Sequence, residues 1–342
     1  MLLSLYLLLL AGLVHAIPPN LSGWSQLIPR AYIFDKFKFI DCEGQDQELL
    51  EKAFYNVRDM LKLQLESVTD VQKYFVGMLS NEKPQMTPPL KNKIESFMMF
   101  YGQFDFSDQC EIADNIYRAE QVADAVRRID QIMTDFAFSG SYSPKIFCSE
   151  KFFEYVRTEG NQDFYKNTQD AAQREFVLEF GGKAGVCGDR TTSAAMLYPT
   201  KGAADDWMIV CPFMFQKWRQ MNFRHLSDYR AVPFEGFRGQ YMDHIMLYTP
   251  EAYIFHELTH SAIIFNLMSV DHNGNQRENR IMLGDMEVFP GQGAYDFHGV
   301  EALARTSRNN PVKMVKNADT LTYHAGAVYL GQCNWAPDGV CR

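Results

Sequence analysis

The stretch His256-Glu257-Leu258-Thr259-His260 decides how the rest of this chain is interpreted. On a helix, side chains four residues apart lie on one face, so the two imidazoles can bind one Zn²⁺ together. The glutamate between them is not a ligand and lies over the coordination position where water binds. The pattern therefore predicts a catalytic metal site with Zn²⁺ as cofactor and Glu257 as general base.

The residues around this stretch favour a buried helix. Thr249 is a suitable N-cap, Pro250 suits the first helical position, and Glu251 suits the positive end of the helix dipole. Residues 261–265 continue the segment with mainly apolar side chains. We therefore expect the two histidines to lie on a helix that packs in the protein interior.

The third metal ligand is not defined by the helix alone. A catalytic zinc site usually takes three protein ligands. The metzincin pattern would place a glycine and a histidine where this chain has Ile263 and Asn266, which excludes that class. A gluzincin-type site would use Glu301. The other candidates along the chain are Asp271, His272, Asp285, Asp296 and His298. Spacing alone leaves these alternatives open.

The composition limits the domain organisation and the partners. Residues 1–16 form a leucine-rich run with small residues before the expected cleavage point, so we predict a signal peptide and a secreted protein. Residues 17–342 are expected to form one domain, with a helical part at 17–140 and a metal-binding part at 141–342. The net charge of −9 argues against nucleic-acid and membrane partners and leaves protein or peptide substrates. The oligomeric state is left undetermined.

The cysteine content fits an oxidising compartment. The chain has 7 cysteines, an odd number, so one is expected to be free or to pair between chains. Cys333 and Cys341 bracket a short C-terminal loop and are the pair that we predict.

The hydrophobic pattern also predicts individual elements. Apolar spacing predicts helices over residues 48–65, 112–136 and 318–330. Strands are predicted over residues 31–37 and 207–210, a loop over 81–89, and a turn over 139–144.

Several motifs in order along the chain resemble a known family. They are Val210-Cys211-Pro212 after a strand, the 256–260 stretch, Ala294-Tyr295, Leu303-Ala304-Arg305 and Asn317-Ala318-Asp319. With the earlier Tyr101-Gly102 and Phe147-Cys148, they resemble the fungal aspzincins, which include deuterolysin and peptidyl-Lys metalloendopeptidase relatives. The resemblance covers roughly residues 30–331. The resemblance implies a zincin-like α+β fold, mainly helical, with a small β-sheet beside the metal helix. It also implies a zinc-dependent endopeptidase.

The same resemblance suggests roles for individual residues. The family pattern Gly-Thr-x-Asp-x-x-Tyr-Gly, placed on Tyr295, puts Gln292 at the ligand position and Asp296 at the last glycine. Residues 280–288 resemble a segment of other relatives, so Asp285 is the preferred third ligand and Asp296 the alternative. By resemblance, Tyr295 donates to the oxyanion and Asp319 contributes to substrate binding.

Two alternative functions remain at this point. The unusual third-ligand segment is compatible with a catalytically silent binding or effector protein on a zincin-like fold. A gluzincin-type peptidase with Glu301 as ligand is the other alternative.

Overall fold

The computed structural model describes most of the chain after residue 36. The described residues are 37–80, 82, 84–134, 145–160, 162–171, 175–178, 185–187, 194–197, 207–261, 266–270, 276–280, 283–307, 312–335 and 338–342. The predicted signal peptide, the turn at 139–144 and most of the strand predicted at 31–37 lie outside these residues.

Three helices come first along the described chain. They are α1 (Gly44–Leu79), α2 (Pro88–Tyr101) and α3 (Gln109–Thr134). α1 includes the helix predicted at 48–65 and continues one stripe of apolar side chains through Phe75. α2 begins inside the segment predicted as a loop, because Pro88 and Pro89 occupy the first turn and Thr87 accepts a hydrogen bond from Leu90 N.

A small mixed sheet lies beside these helices. Its strands run in the order β1 (Lys38–Ile40), β2 (Lys145–Phe147), β7 (Trp207–Val210) and β6 (Ala194–Leu197). β1, β2 and β7 are parallel, and β6 is antiparallel to β7. The strand predicted at 207–210 is present, and a strand lies at Lys38–Ile40 just after the predicted segment 31–37.

The sheet separates two apolar clusters. Along β7, Met208 and Val210 belong to the large helical core, whereas Trp207 and Ile209 belong to a smaller cluster. This alternation follows from successive side chains pointing to opposite faces of a strand. The smaller cluster includes side chains from an antiparallel sheet of β3 (Phe153–Glu159), β4 (Gln162–Asn167) and β5 (Glu175–Leu178).

The second half of the chain is mostly helical. Its helices are α4 (Pro212–Gln220), α5 (Leu226–Arg230), α6 (Phe234–Phe237), α7 (Asp243–Met246), α8 (Pro250–Thr259), α9 (Asp296–Thr306), α10 (Val312–Val315) and α11 (Ala318–Tyr329). Two hairpins, β8 (Asn266–Val270) with β9 (Gln276–Arg280) and β10 (Glu287–Phe289) with β11 (Gln292–Gly293), lie between α8 and α9.

α8 occupies the centre of this arrangement. It contacts α1, α11 and the strand β6, so the small sheet lies beside the helix that carries the two histidines. The fold is therefore α+β and mainly helical over the described residues, as predicted. None of the helices that the structure describes is both long and apolar enough to span a bilayer.

Three disulfides link the described elements. Cys333 pairs with Cys341 as predicted, and the other pairs are Cys42–Cys148 and Cys187–Cys211. The odd cysteine is Cys110, which is free and exposed.

Candidate metal centre

The two histidines of α8 converge on one point. His256 lies in the last turn, and His260 follows as the C-cap residue with helical backbone angles. Their Nε2 atoms are 3.0 Å apart. The helical spacing of four residues thus brings two potential metal-ligand atoms together, as expected from the sequence.

Asp285 lies opposite this pair. Its Oδ1 is 3.4 Å from the Nε2 atom of His256 and 3.4 Å from that of His260. Zinc–ligand bonds of about 2.0–2.2 Å in a tetrahedron separate neighbouring donor atoms by about 3.4 Å. The two distances to Asp285 match that spacing, the 3.0 Å between the Nε2 atoms is somewhat shorter, and His256, His260 and Asp285 form a group that could hold a metal ion.

Both imidazoles are held from the side that faces away from Asp285. Nδ1 of His256 is 2.6 Å from Oδ1 of Asp319, and Nδ1 of His260 is 3.1 Å from the carbonyl oxygen of Leu283. Since both partners are acceptors, each ring donates its Nδ1–H, so Nε2 is the ring atom that a metal would bind in place of a proton. A carboxylate or carbonyl behind a ligating histidine is the usual support of a zinc site.

The surrounding carboxylates determine the electrostatics of the centre. Burial by itself lowers the pKa of His256, but the charges of Asp319, Glu257 and Asp285 together with the Asp319 hydrogen bond raise this pKa to about 10. Burial by itself raises the pKa of Asp285, whereas the two imidazoles and a hydrogen bond from Tyr295 bring it below its ordinary value. The group therefore strongly favours a positive charge between its members.

Glu257 and Tyr295 both lie next to these ligands. Glu257 is buried, with 7% of its surface exposed, and its charge acts on His256. Tyr295 is half exposed and hydrogen-bonds Asp285. The two residues predicted to take part in chemistry thus lie beside the predicted metal ligands, and their roles stay predictions.

The structure places the alternative ligands elsewhere. Asp296 has a left-handed backbone with φ of 63°, and its Oδ1 accepts a hydrogen bond from Gly299 N at the start of α9. Glu301 pairs with Arg305 one turn later on the same helix. Over the described residues, the metal-capable group contains neither of them and does not contain His298. Asp271 and His272 lie outside the described residues.

Two features of the centre were not anticipated from the sequence. The carbonyl of Leu283 carries no side-chain signal, so no motif could point to it. Asp319 was predicted to contribute to substrate binding, which stays a prediction, and the structure shows its carboxylate on His256, a contact that was not predicted. Its place in the Asn317-Ala318-Asp319 motif was the available signal, but a motif does not say which atom the carboxylate meets.

Comparisons with known proteins found no relative of this chain. No protein-family profile matches the chain, no curated protein matches it, and no solved structure matches it. The class of site therefore rests on its own atoms, which are two imidazole nitrogens and one carboxylate oxygen around a common point.

Proposed function

We propose that this chain is a secreted zinc endopeptidase with a zincin-like fold of the aspzincin type, acting on protein or peptide substrates. The observation that carries the proposal is the triangle of donor atoms from His256, His260 and Asp285, with Glu257 between the two histidines in sequence. An aspartate as third ligand is the feature that the family resemblance implies.

The donor set suits zinc. Imidazole nitrogen combined with carboxylate oxygen in a near-tetrahedral arrangement is typical of catalytic Zn²⁺, and a site with three protein ligands leaves one position open. When bound, zinc lowers the pKa of water towards neutrality and polarises a carbonyl group. The identity of the metal is part of the proposal.

The chain's own residues supply the proton transfers and the oxyanion contact. Glu257 accepts the proton of the attacking water and delivers it to the leaving amine, the role that its position in the motif implies. Tyr295 lies next to Asp285 with its ring exposed to solvent. Its hydroxyl donates a hydrogen bond to the substrate oxygen that becomes negative in the transition state. His256 and His260 are kept in the required tautomer by Asp319 and Leu283.

Secretion is part of the same proposal. Three disulfides over the described residues suit an oxidising compartment, and the leucine-rich segment 1–16 supplies the export signal.

Zinc content and casein cleavage, measured on the same preparations, test the proposal. We expect the wild-type protein to hold one zinc ion and to cleave casein. Glu257→Gln should keep the zinc and lose about 100-fold to 10,000-fold in rate, because it removes only the general base. Asp285→Asn should bind zinc much more weakly, through the two remaining imidazoles, whereas Glu301→Gln should keep both zinc affinity and activity.

Each contrary result has a distinct meaning. Equal cleavage of casein by the wild type and Glu257→Gln would contradict the proposal that this chain is a peptidase. Zinc binding without cleavage of any peptide would favour the catalytically silent alternative. Loss of zinc in Glu301→Gln but not in Asp285→Asn would favour the gluzincin alternative.

A further inference from the structure

The turn that precedes α11 is bonded to the main chain beside Asp285. Gly284 N donates to the carbonyl of Lys316 at 2.9 Å, and Ala318 N donates to the carbonyl of Gly284 at 3.0 Å. These two bonds attach the residue just before the third ligand to the start of α11. The position of Asp285 is therefore coupled to that turn, in addition to the bond between His260 at the end of α8 and the carbonyl of Leu283.

The side chain of Asn317 completes this attachment on the other side of Asp285. Its Oδ1 accepts a hydrogen bond from Met286 N at 2.9 Å, so both neighbours of the ligand are held. Its Nδ2 donates to the carbonyl of Ala294 at 3.3 Å and to Thr320 Oγ1 at 3.0 Å. Since Ala294 immediately precedes Tyr295, one amide links the ligand segment with the tyrosine segment.

The position of Asn317 in the helix makes this use of its side chain informative. Asn317 is the N-cap residue of α11, where an asparagine normally accepts a hydrogen bond from its own helix. Its side chain makes no such capping bond, and its oxygen is directed to Met286 instead. The residue is 1% exposed, so these bonds replace water around a buried amide.

Asp319 lies two residues further along and acts on a different ligand. Its Oδ1 is 2.6 Å from Nδ1 of His256, and its side chain is 13% exposed. A carboxylate at this position fixes the tautomer and the ring orientation of the histidine. The start of α11 thus contacts one candidate ligand directly, His256, and holds the main chain on both sides of another, Asp285.

We propose that Asn317 and Asp319 are positioning residues that set the geometry of the metal centre, Asn317 through Asp285 and Asp319 through His256. The proposal rests on the metal site of the proposed function and does not require peptidase activity. Outer partners of metal ligands typically contribute about 10-fold to 100-fold in metal affinity. Asn317 acts at longer range than such partners, through the backbone on either side of the ligand.

Double-mutant cycles on Zn²⁺ affinity test this proposal, with affinity measured by competition against a chromophoric chelator. Asn317→Ala should weaken binding about 10-fold to 100-fold in the wild-type background and should have no further effect on Asp285→Ala. Likewise, Asp319→Ala should weaken binding in the wild-type background and have no further effect on His256→Ala. Equal losses in both backgrounds would overturn the proposal.

A matched variant separates positioning from general loosening of α11. Gln64 is another buried amide bonded to this helix, through the carbonyl of Leu321 and the ring of His324, and neither partner belongs to a ligand segment. Gln64→Ala should destabilise the fold and leave Zn²⁺ affinity unchanged. If it weakens binding as much as Asn317→Ala, the effect is not positioning and the proposal fails.

The visible spectrum of the Co²⁺-substituted protein gives a readout independent of affinity. Asn317→Ala should shift this spectrum toward that of Asp285→Ala, because the same ligand is displaced. An unchanged wild-type spectrum in Asn317→Ala would contradict the inference. Zinc binding without peptidase activity would contradict the proposed function and leave the positioning roles of Asn317 and Asp319 standing. A wild-type chain that binds no zinc would contradict both proposals.

Discussion

At the scale of single residues, His324 is a histidine whose pKa the fold lowers strongly. It is fully buried on α11, with Gln64 Nε2 3.1 Å from its Nδ1 and the rings of Phe97 and Tyr101 beside it. Burial lowers its pKa from 6.5 to about 3. Between these values the unfolded chain binds a proton that the folded chain does not. The contribution of the neutral His324 to the free energy of unfolding is fully present above pH 6.5 and is lost as the pH falls toward 3.

We therefore expect His324→Leu to flatten the acid side of the stability profile. Between pH 6.5 and pH 3 the free energy of unfolding of the wild type should fall more steeply than that of the variant, by about 1.4 kcal/mol per pH unit. Urea denaturation at a series of pH values measures both slopes. His298→Leu, which changes an exposed histidine, serves as control and should keep the wild-type slope. Parallel profiles for wild type and His324→Leu would contradict this assignment.

The metal centre shows which of its ligands could be predicted from the sequence. The pair His256 and His260 was predictable, because helical geometry alone brings their imidazoles together. Spacing did not choose among Asp285, Asp296 and Glu301, and only the family resemblance favoured Asp285, because the position of the ligand segment depends on main-chain hydrogen bonds to the start of α11. Asp296 has a left-handed backbone with φ of 63°, a conformation that its sequence context alone does not predict.

At the scale of elements, α8 is anchored by a buried carboxylate in its first turn. Glu251 is fully buried, and its Oε1 accepts a hydrogen bond from Asn56 Nδ2 of α1 at 2.5 Å and lies 2.8 Å from His225 Nδ1. The sequence suggested only that an acid there suits the helix dipole. The structure shows that the same residue also ties α8 to α1 and to the residue before α5.

Glu251→Ala should consequently lower the free energy of unfolding by about 1–3 kcal/mol for each buried donor that it leaves without an acceptor. Glu235→Ala provides the comparison, since it removes an exposed acid from the first turn of α6 and should change stability by less than about 0.5 kcal/mol. Urea denaturation near neutral pH measures both. A loss in Glu251→Ala as small as that in Glu235→Ala would show that the anchor contributes nothing.

The sequence predicted the presence of helices better than it predicted where they begin and end. Periodicity predicted helices that overlap α1, α3 and α11. α1 extends beyond the prediction at both ends, α3 begins earlier, and α11 begins at Ala318 as predicted. α2 was missed because consecutive prolines suggest a loop, although prolines in the first turn suit a helix start. Ends depend on capping contacts and neighbouring elements, which the apolar pattern does not contain.

At the scale of the whole molecule, the helical part and the metal-binding part share one core. α1 packs against α8 and α11, and one apolar cluster includes Phe54 of α1, Phe255 of α8 and Leu321 of α11. The Cys42–Cys148 disulfide joins the residue just after β1 and before α1 to the residue just after β2. The loop that it closes contains α1, α2 and α3.

This topology predicts that the disulfides differ in their contributions to stability. Cys42–Cys148 spans 106 residues and Cys333–Cys341 spans 8, so loop-closure entropy assigns about 5 and about 2.5 kcal/mol to them. Replacing both cysteines of a pair by serine, followed by guanidinium denaturation, measures each value. Cys110→Ser, which changes a free exposed thiol, should leave stability nearly unchanged. Equal losses for the two pairs would mean that the unfolded chain keeps α1 to α3 compact, because then closing the long loop restricts it no more than the short one.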